Sequence, residues 1–455
     1  MLVSLKIKNW RSFKEEASFS MENSKERRFS DTLINLEDSS KSSLLPITAI
    51  YGYNASGKSS FFKALNFIKD FITKPRVYSD PINVIPFKLD GKSQNLPSAF
   101  EIEFFSKQLN NKVVRYSFSA NSSEIFSEKL EIKTARSYRT VYERNNHKID
   151  IDLSFKYSDE KEKILVQALS EKVPKNTLFL TVCAMQDIKF LAKVYIWFKI
   201  RLILVSPTTR FSKIPAAVIQ NGTSLEKDNK SDPLLGLNQM ISKLDLGVNS
   251  LKHEDIPFAS LNLPDKFISE IKEHLKYGKF IKLATTNNTD VIIYKKNNEL
   301  VASRLLAIHK DALGNNVNFE LTEESDGTRR LIDISPLLLD LIGGSNDLVI
   351  VIDEFDRSLN PLLTRKIIQM YLERARDRNL NDGRKIKIQF IFTCHDISLL
   401  DQDIMRRDEY WVINKNAKGE SSLSRISEMK KGLRFDQKLR DNYLNGEFGK
   451  PNFLK

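Results

Sequence analysis

The residues with the most chemical content are Gly52-Tyr53-Asn54-Ala55-Ser56-Gly57-Lys58-Ser59. Two glycines in this spacing, closed by lysine and serine, are what a phosphate-cradling Walker A loop requires. The glycines let the backbone turn so that its N–H groups face a phosphate. The lysine reaches the outer phosphates, and the serine hydroxyl holds Mg²⁺. Nucleotide contacts are therefore expected from Gly52, Asn54, Ala55, Ser56, Gly57, Lys58, Ser59 and Ser60, with Ser59 also a Mg²⁺ ligand.

A second constellation follows the apolar run Leu348 to Ile352, which ends in Asp353 and Glu354. Such a run reads as a strand buried on both faces of a parallel sheet. At its carboxyl end one carboxylate can orient the Mg²⁺ shell and the next can polarise a water. Asp353 is assigned to Mg²⁺ and Glu354 to the general base. Alone, the same residues read equally well as a buried strand ending in a solvated acidic turn. A further apolar strand, Phe390 to Thr393, runs into Cys394, His395 and Asp396. His395 is placed to touch a terminal phosphate, while Asp396 can cap the following turn. Ser325, Asp326, Gly327 and Thr328 precede the apolar run Leu331 to Leu341, an anion-binding position at a helix start as well as an ordinary N-cap.

These residues need elements to hold them. Leu44 to Tyr51 reads as the strand before the loop, and Ser60 to Ile72 as the helix after it. Leu2 to Ile7 alternates as a strand and can pair with Ala17 to Met21, whereas Asn23 to Ser43 is polar and reads as a loop. Phe100 to Phe105, Val113 to Ala120 and Lys129 to Lys133 read as short antiparallel strands, continued weakly by Tyr138 to Phe155. The character shifts towards helix from Asp159 to His274, and Asn221 to Asp232 reads as a mobile polar stretch. Val291 to Tyr294 and Asn318 to Leu321 look like strands that return to the core. The expected division is 1–158 as the first half of a nucleotide-binding head, 159–290 as a partly helical insertion or lid, and 291–455 as the second half.

With 455 residues, 41% of them apolar, the chain can bury more than one core. Its net charge of +13 favours polyanionic or acidic partners, or else a solvated basic surface. Two cysteines, Cys183 and Cys394, support neither a disulfide framework nor a zinc site. The opening residues are too few and too charged for a signal peptide, and the most apolar window, Phe190 to Val205, contains Lys193, Lys199 and Arg201. A cytoplasmic protein with no membrane partner is expected.

The order of loop lysine, Ser-x-Gly helix, Asp-Glu strand and strand histidine resembles the ABC-type ATPase heads of the SMC and RecF-like group. There the Ser325–Thr328 segment matches the signature motif, Arg357 to Pro361 the D-loop, and His395 the switch histidine. The opening Ile7 to Phe13 is similar to that group's first strand and turn, which adds Arg11 to the nucleotide contacts. The match is sharper to a bacterial AAA-type branch related to the ATPase half of OLD proteins, through Glu324 to Thr328, Arg406 to Trp411 and Tyr443 to Gly449. Members often sit in anti-phage operons, and the ATPase subunit of PARIS-type systems is similar in size and layout.

The resemblance implies an α/β head with a mixed central sheet, an N-terminal antiparallel β subdomain and a partly helical insertion. It implies ATP and Mg²⁺, slow hydrolysis, and a signature segment supplied in trans within a homo-oligomer of at least two subunits, with hexameric rings among its PARIS-like relatives. The implied partner is an effector protein, a nuclease acting in trans, released by a phage-encoded DNA mimic or by DNA. Glu354 and His395 carry the implied catalysis. The alternative is a RecF/SMC-type ATPase acting directly on DNA. No Cys-x-x-Cys hook, long arm or acidic nuclease cluster is found, and the glutamine loop is not placed securely: Gln94 is one option, with Phe87 to Asp90 the more family-like feature.

Overall fold

The computed structural model describes residues 1–36, 43–74, 77, 80–155, 157, 159–209, 235–244, 247–275, 280–284, 290–296, 299–343, 347–381, 388–429 and 438–449. Asn221 to Asp232 lies outside them. Two compact units form: Met1–Pro207 with Asn346–Phe355 and Leu372–Lys455, and Thr208–Ser345 with Asp356–Tyr371.

The first unit is built on two sheets. Three strands buried along their whole length stand at the centre of the six-stranded one, which runs Leu202–Val205, Leu348–Ile352, Ile388–Thr393, Ile47–Tyr51, Tyr410–Lys415 and Ser421–Arg425 in spatial order. The first five strands are parallel and the last is antiparallel, so the sheet is mixed as expected. Alternating strands make the other sheet, antiparallel throughout, in the order Lys148–Ile151, Tyr138–Asn145, Ile125–Lys133, Lys112–Ala120, Ser98–Ser106, Leu2–Lys8 and Ala17–Ser20. Helix Lys58–Thr73 buries Phe61, Leu65, Ile68 and Ile72 in one core with Phe19, Phe100, Phe118 and Trp411.

Residues 160–205, expected inside the insertion, fold with this unit. The cause is Leu202–Val205, whose four apolar residues pair in register with Val349 to Ile352 and so become the sheet's edge strand. Helices Phe179–Met185 and Lys189–Ile196 lead into it.

In the second unit Glu299–Lys310 pairs with Ser250–Ile256, Asp290–Lys296 and Asn316–Glu320, and Phe280–Ala284 completes the sheet. The strands foreseen near 291 and 318 exist, but they do not return to the parallel sheet. Short connections let them pair as antiparallel neighbours instead. Helices Leu235–Leu244, Asp265–His274 and Asp326–Gly343 also lie in this unit. Among the described residues no helix is long and apolar enough to cross a membrane.

Arg406 to Trp411 turns out to be a buried lock. The Arg406 guanidinium donates to both Asp408 carboxylate oxygens (2.9 and 2.8 Å) and to the carbonyls of Arg28 (2.6 Å) and Glu26 (2.9 Å). Asp408 accepts in turn from the Ser24 amide and hydroxyl, both at 2.8 Å. The pair fixes the 24–28 loop beside the strand that flanks Ile47–Tyr51. Removing one partner of a fully buried pair strands the other charge. Arg406→Leu should lower unfolding free energy by about 3–5 kcal/mol, read by urea or thermal denaturation.

Candidate nucleotide site

The loop starts where strand Ile47–Tyr51 ends. Gly52 has φ +157°, and a Cβ there would lie 2.6 Å from the Ile413 carbonyl of the neighbouring strand. Gly57 has φ +126°, and its Cβ would meet the Ser421 and Ser12 hydroxyls at 2.7 and 2.9 Å. No side chain could stand at either place. Between them Ala55 takes a left-handed φ of 61°, and the Ser56 amide donates to the Tyr53 carbonyl at 3.0 Å. Gly57 caps helix Lys58–Thr73 without a side-chain acceptor, so the helix start is left to an outside anion. Lys58 is buried, and its ammonium donates to the carbonyls of Gly52 and Tyr53. Asn54 and Ala55 are exposed, and Ser59 and Ser60 half-buried.

Arg11 and Ser12 come from the turn after the first strand. Asn9 and Arg11 both have positive φ. The Ser12 carbonyl accepts from the Ser421 amide at 2.7 Å, while Trp10 Nε1 donates to the Ser60 carbonyl at 3.0 Å. Among the described residues, three buried polar atoms around this cradle find no hydrogen-bond partner: Arg11 Nε, Ser12 Oγ and Ser56 Oγ. Burial also lowers the pKa of Arg11. Unsatisfied buried donors of this kind call for an acceptor.

The metal side is built by three neighbouring strands. Asp353 sits buried at the end of Leu348–Ile352, with its amide donating to the Val205 carbonyl at 2.9 Å. Its carboxylate accepts from the Thr393 hydroxyl at 2.7 Å, and the Ser59 side chain lies close to it as well. Burial raises the Asp353 pKa, Glu354 adds to the rise, and these two side chains and Lys58 oppose it. A buried carboxylate beside the loop serine, short of full compensation, fits a hard divalent cation. Ser59 and Asp353 would hold Mg²⁺, which would supply positive charge to offset that of the phosphates.

Glu354 has a left-handed φ of 52°, a conformation that costs a non-glycine residue about 1–3 kcal/mol. Thr393 holds it there: its hydroxyl accepts from the Glu354 amide at 2.7 Å and its carbonyl from the Phe355 amide at 3.0 Å. His395 is exposed two residues beyond Thr393. Asp396 does cap the next turn, accepting from the Ser398 amide at 2.9 Å, and Tyr51 Oη donates to the Asp396 carbonyl at 3.0 Å. Gln94 is exposed and donates to the Lys88 carbonyl at 3.0 Å.

The signature-like residues belong to the second unit. Ser325 Oγ accepts from the Thr328 amide at 3.1 Å and so caps helix Asp326–Gly343. Ser325 and Asp326 are exposed. A Cβ on Gly327 would lie 2.6 Å from the Ser358 carbonyl, so the glycine lets the Arg357 to Pro361 turn approach the helix start. His309 contacts Glu324 just before this turn.

Sequence reasoning missed Thr393, Ser12 and Ser421. Thr393 had a signal, a single hydroxyl closing an apolar strand that is followed by a histidine. Ser421 had none, because the antiparallel edge strand that brings it to Gly57 is not visible before folding.

Two likenesses bear on the chain. The family described as "AAA domain, putative AbiEii toxin, Type IV TA system" matches residues 47–401. The SMC head domain from Thermotoga maritima is similar at 12% identity and a TM-score of 0.35, covering 93% of this chain and 98% of that one. No curated protein matches. Fold and site rest on the strand order and contacts above rather than on so distant a structural likeness.

Thr393→Val keeps the shape and removes the two hydrogen bonds that the Thr393 hydroxyl makes to the Glu354 amide and the Asp353 carboxylate. It should cost about 1–3 kcal/mol of stability and weaken Mg²⁺-dependent nucleotide binding, measured by thermal unfolding with and without Mg²⁺ and ATP.

Proposed function

The chain belongs to this AAA-domain family, and from that premise we propose that it binds ATP and hydrolyses it slowly. Its role in this reading is that of a sensor and scaffold in bacterial anti-phage defence, holding and releasing a toxic effector, a nuclease encoded nearby. The single observation that carries ATP binding is the joining of the loop to the acidic strand: Ser59 and Thr393 both meet the Asp353 carboxylate. The toxin–antitoxin description of the family supports the effector-holding role.

In this reading Lys58 and the loop amides bind the phosphates, Ser59 and Asp353 hold Mg²⁺, and Glu354 takes a proton from the attacking water. His395 meets the terminal phosphate from the neighbouring strand. A second copy of the chain supplies Ser325, Asp326, Gly327 and Thr328, whose helix start favours the triphosphate over the diphosphate. A difference of about 3–5 kcal/mol between the two is enough to switch the pair between closed and open populations. PARIS-type assembly, up to a hexamer, and a phage DNA mimic as trigger belong to the same proposal. The charge of +13 suits an acidic protein surface. It also favours the second reading, direct action on DNA, which calls for DNA-stimulated hydrolysis and a steep salt dependence of binding.

Lys58→Ala should abolish ATP binding. Glu354→Gln should keep it while slowing hydrolysis at least about 100-fold, as loss of a general base does, in a phosphate-release assay. Ser325→Arg should leave binding per protomer intact and prevent ATP-dependent self-association, read by light scattering. Unchanged turnover in Glu354→Gln would remove the base assignment. For the effector, a tagged chain expressed from its native operon should retain a neighbouring gene product in the presence of ATP; loss of no protection on deleting that neighbour would contradict the holding role.

A further inference from the structure

The C-terminal segment lies against the start of the phosphate loop. Helix Leu439–Leu444 carries Tyr443, only 6% exposed. Its ring stacks on that of Tyr53 with centroids 5.2 Å apart and planes 23° apart, and meets the Tyr51 ring edge-on at 6.0 Å. Tyr53 Oη donates to the Tyr443 carbonyl at 3.1 Å, and the Gly52 backbone lies close to the Tyr443 hydroxyl. Gly52 and Tyr53 are the two residues whose carbonyls receive the Lys58 ammonium.

The rest of the segment is fastened to the strand that flanks the loop. Asn414 Nδ2 donates to the Phe448 carbonyl at 2.6 Å, and Phe448 is buried. Gly449 has φ +131° and sits so close to the Asn414 amide that a Cβ would strike it. Adjacent Ile413 is the residue whose carbonyl closes over Gly52. One strand therefore grips both the loop and the segment laid across it.

We infer that Tyr443 is a positioning residue for the phosphate loop: stacked on Tyr53, tied to its hydroxyl and set beside Gly52, it sets the carbonyls that orient Lys58. The inference rests on the ATP-binding reading. Aromatic stacking and a buried hydrogen bond are each worth about a few-fold to tenfold in an equilibrium. Ordering the loop before the nucleotide arrives raises affinity by that margin.

The test is calorimetric titration of ATP with Mg²⁺ into the full chain and four variants. Tyr443→Ala should weaken binding by about tenfold, and Tyr443→Phe, which keeps the stack, by about threefold. In hydrolysis assays KM should rise while kcat is retained. Gly449→Ala, which displaces the segment from Asn414 without touching the loop, should reproduce the Tyr443→Ala affinity and covers the case in which that variant does not fold. Leu444→Ala, at an exposed position, should change nothing. Wild-type binding with unaltered affinity in Tyr443→Ala or Gly449→Ala would overturn the inference alone, whatever their melting temperatures. No ATP binding by the wild-type chain would overturn it together with the ATP-binding reading.

Discussion

One buried carboxylate organises the site. Asp353 ends the second strand of a parallel sheet, takes a hydrogen bond from the third strand through Thr393, and meets the phosphate loop through Ser59. Burying an ion is unfavourable unless neighbouring groups compensate it. Compensation here comes from elements far apart in sequence, so the carboxylate makes the loop, the acidic strand and the histidine strand into one unit. Burial raises the pKa of Asp353, and the hydrogen bond from Thr393 and the nearby Ser59 and Lys58 oppose that rise.

The loop itself is held from outside by parts that carry no catalytic chemistry. Ser421 and Ser12 close on Gly57, Ile413 closes on Gly52, and Tyr443 covers Tyr53. All of them depend on the edge of the sheet, Tyr410–Lys415 and Ser421–Arg425. The Arg406–Asp408 pair, fully buried, leads into that edge and fixes its start.

Much of this was legible in the sequence where local chemistry decides. The glycine spacing around Lys58 forces one backbone path, and the apolar runs before Asp353 and His395 could hardly be anything but buried strands. The alternating strands between residues 98 and 133 also formed where expected. Long-range partnership was not legible. Leu202–Val205 has the composition of a buried strand, yet nothing local says that it joins Leu348–Ile352 rather than an insertion. Val291 to Tyr294 reads the same whether its partners are parallel or antiparallel. Thr393 looks like a strand end until the turn at Glu354 is seen to hang from it.

The most direct test of the account is calorimetric titration of ATP into the wild-type chain and into Asp353→Asn, each with Mg²⁺ and with EDTA. The expected result is binding that tightens with Mg²⁺ in the wild type and loses that dependence in Asp353→Asn, while the phosphate loop still gives weak binding. Equal affinity in all four combinations, or no ATP binding to the wild type at millimolar concentration, would contradict the joining of loop and acidic strand into one nucleotide site.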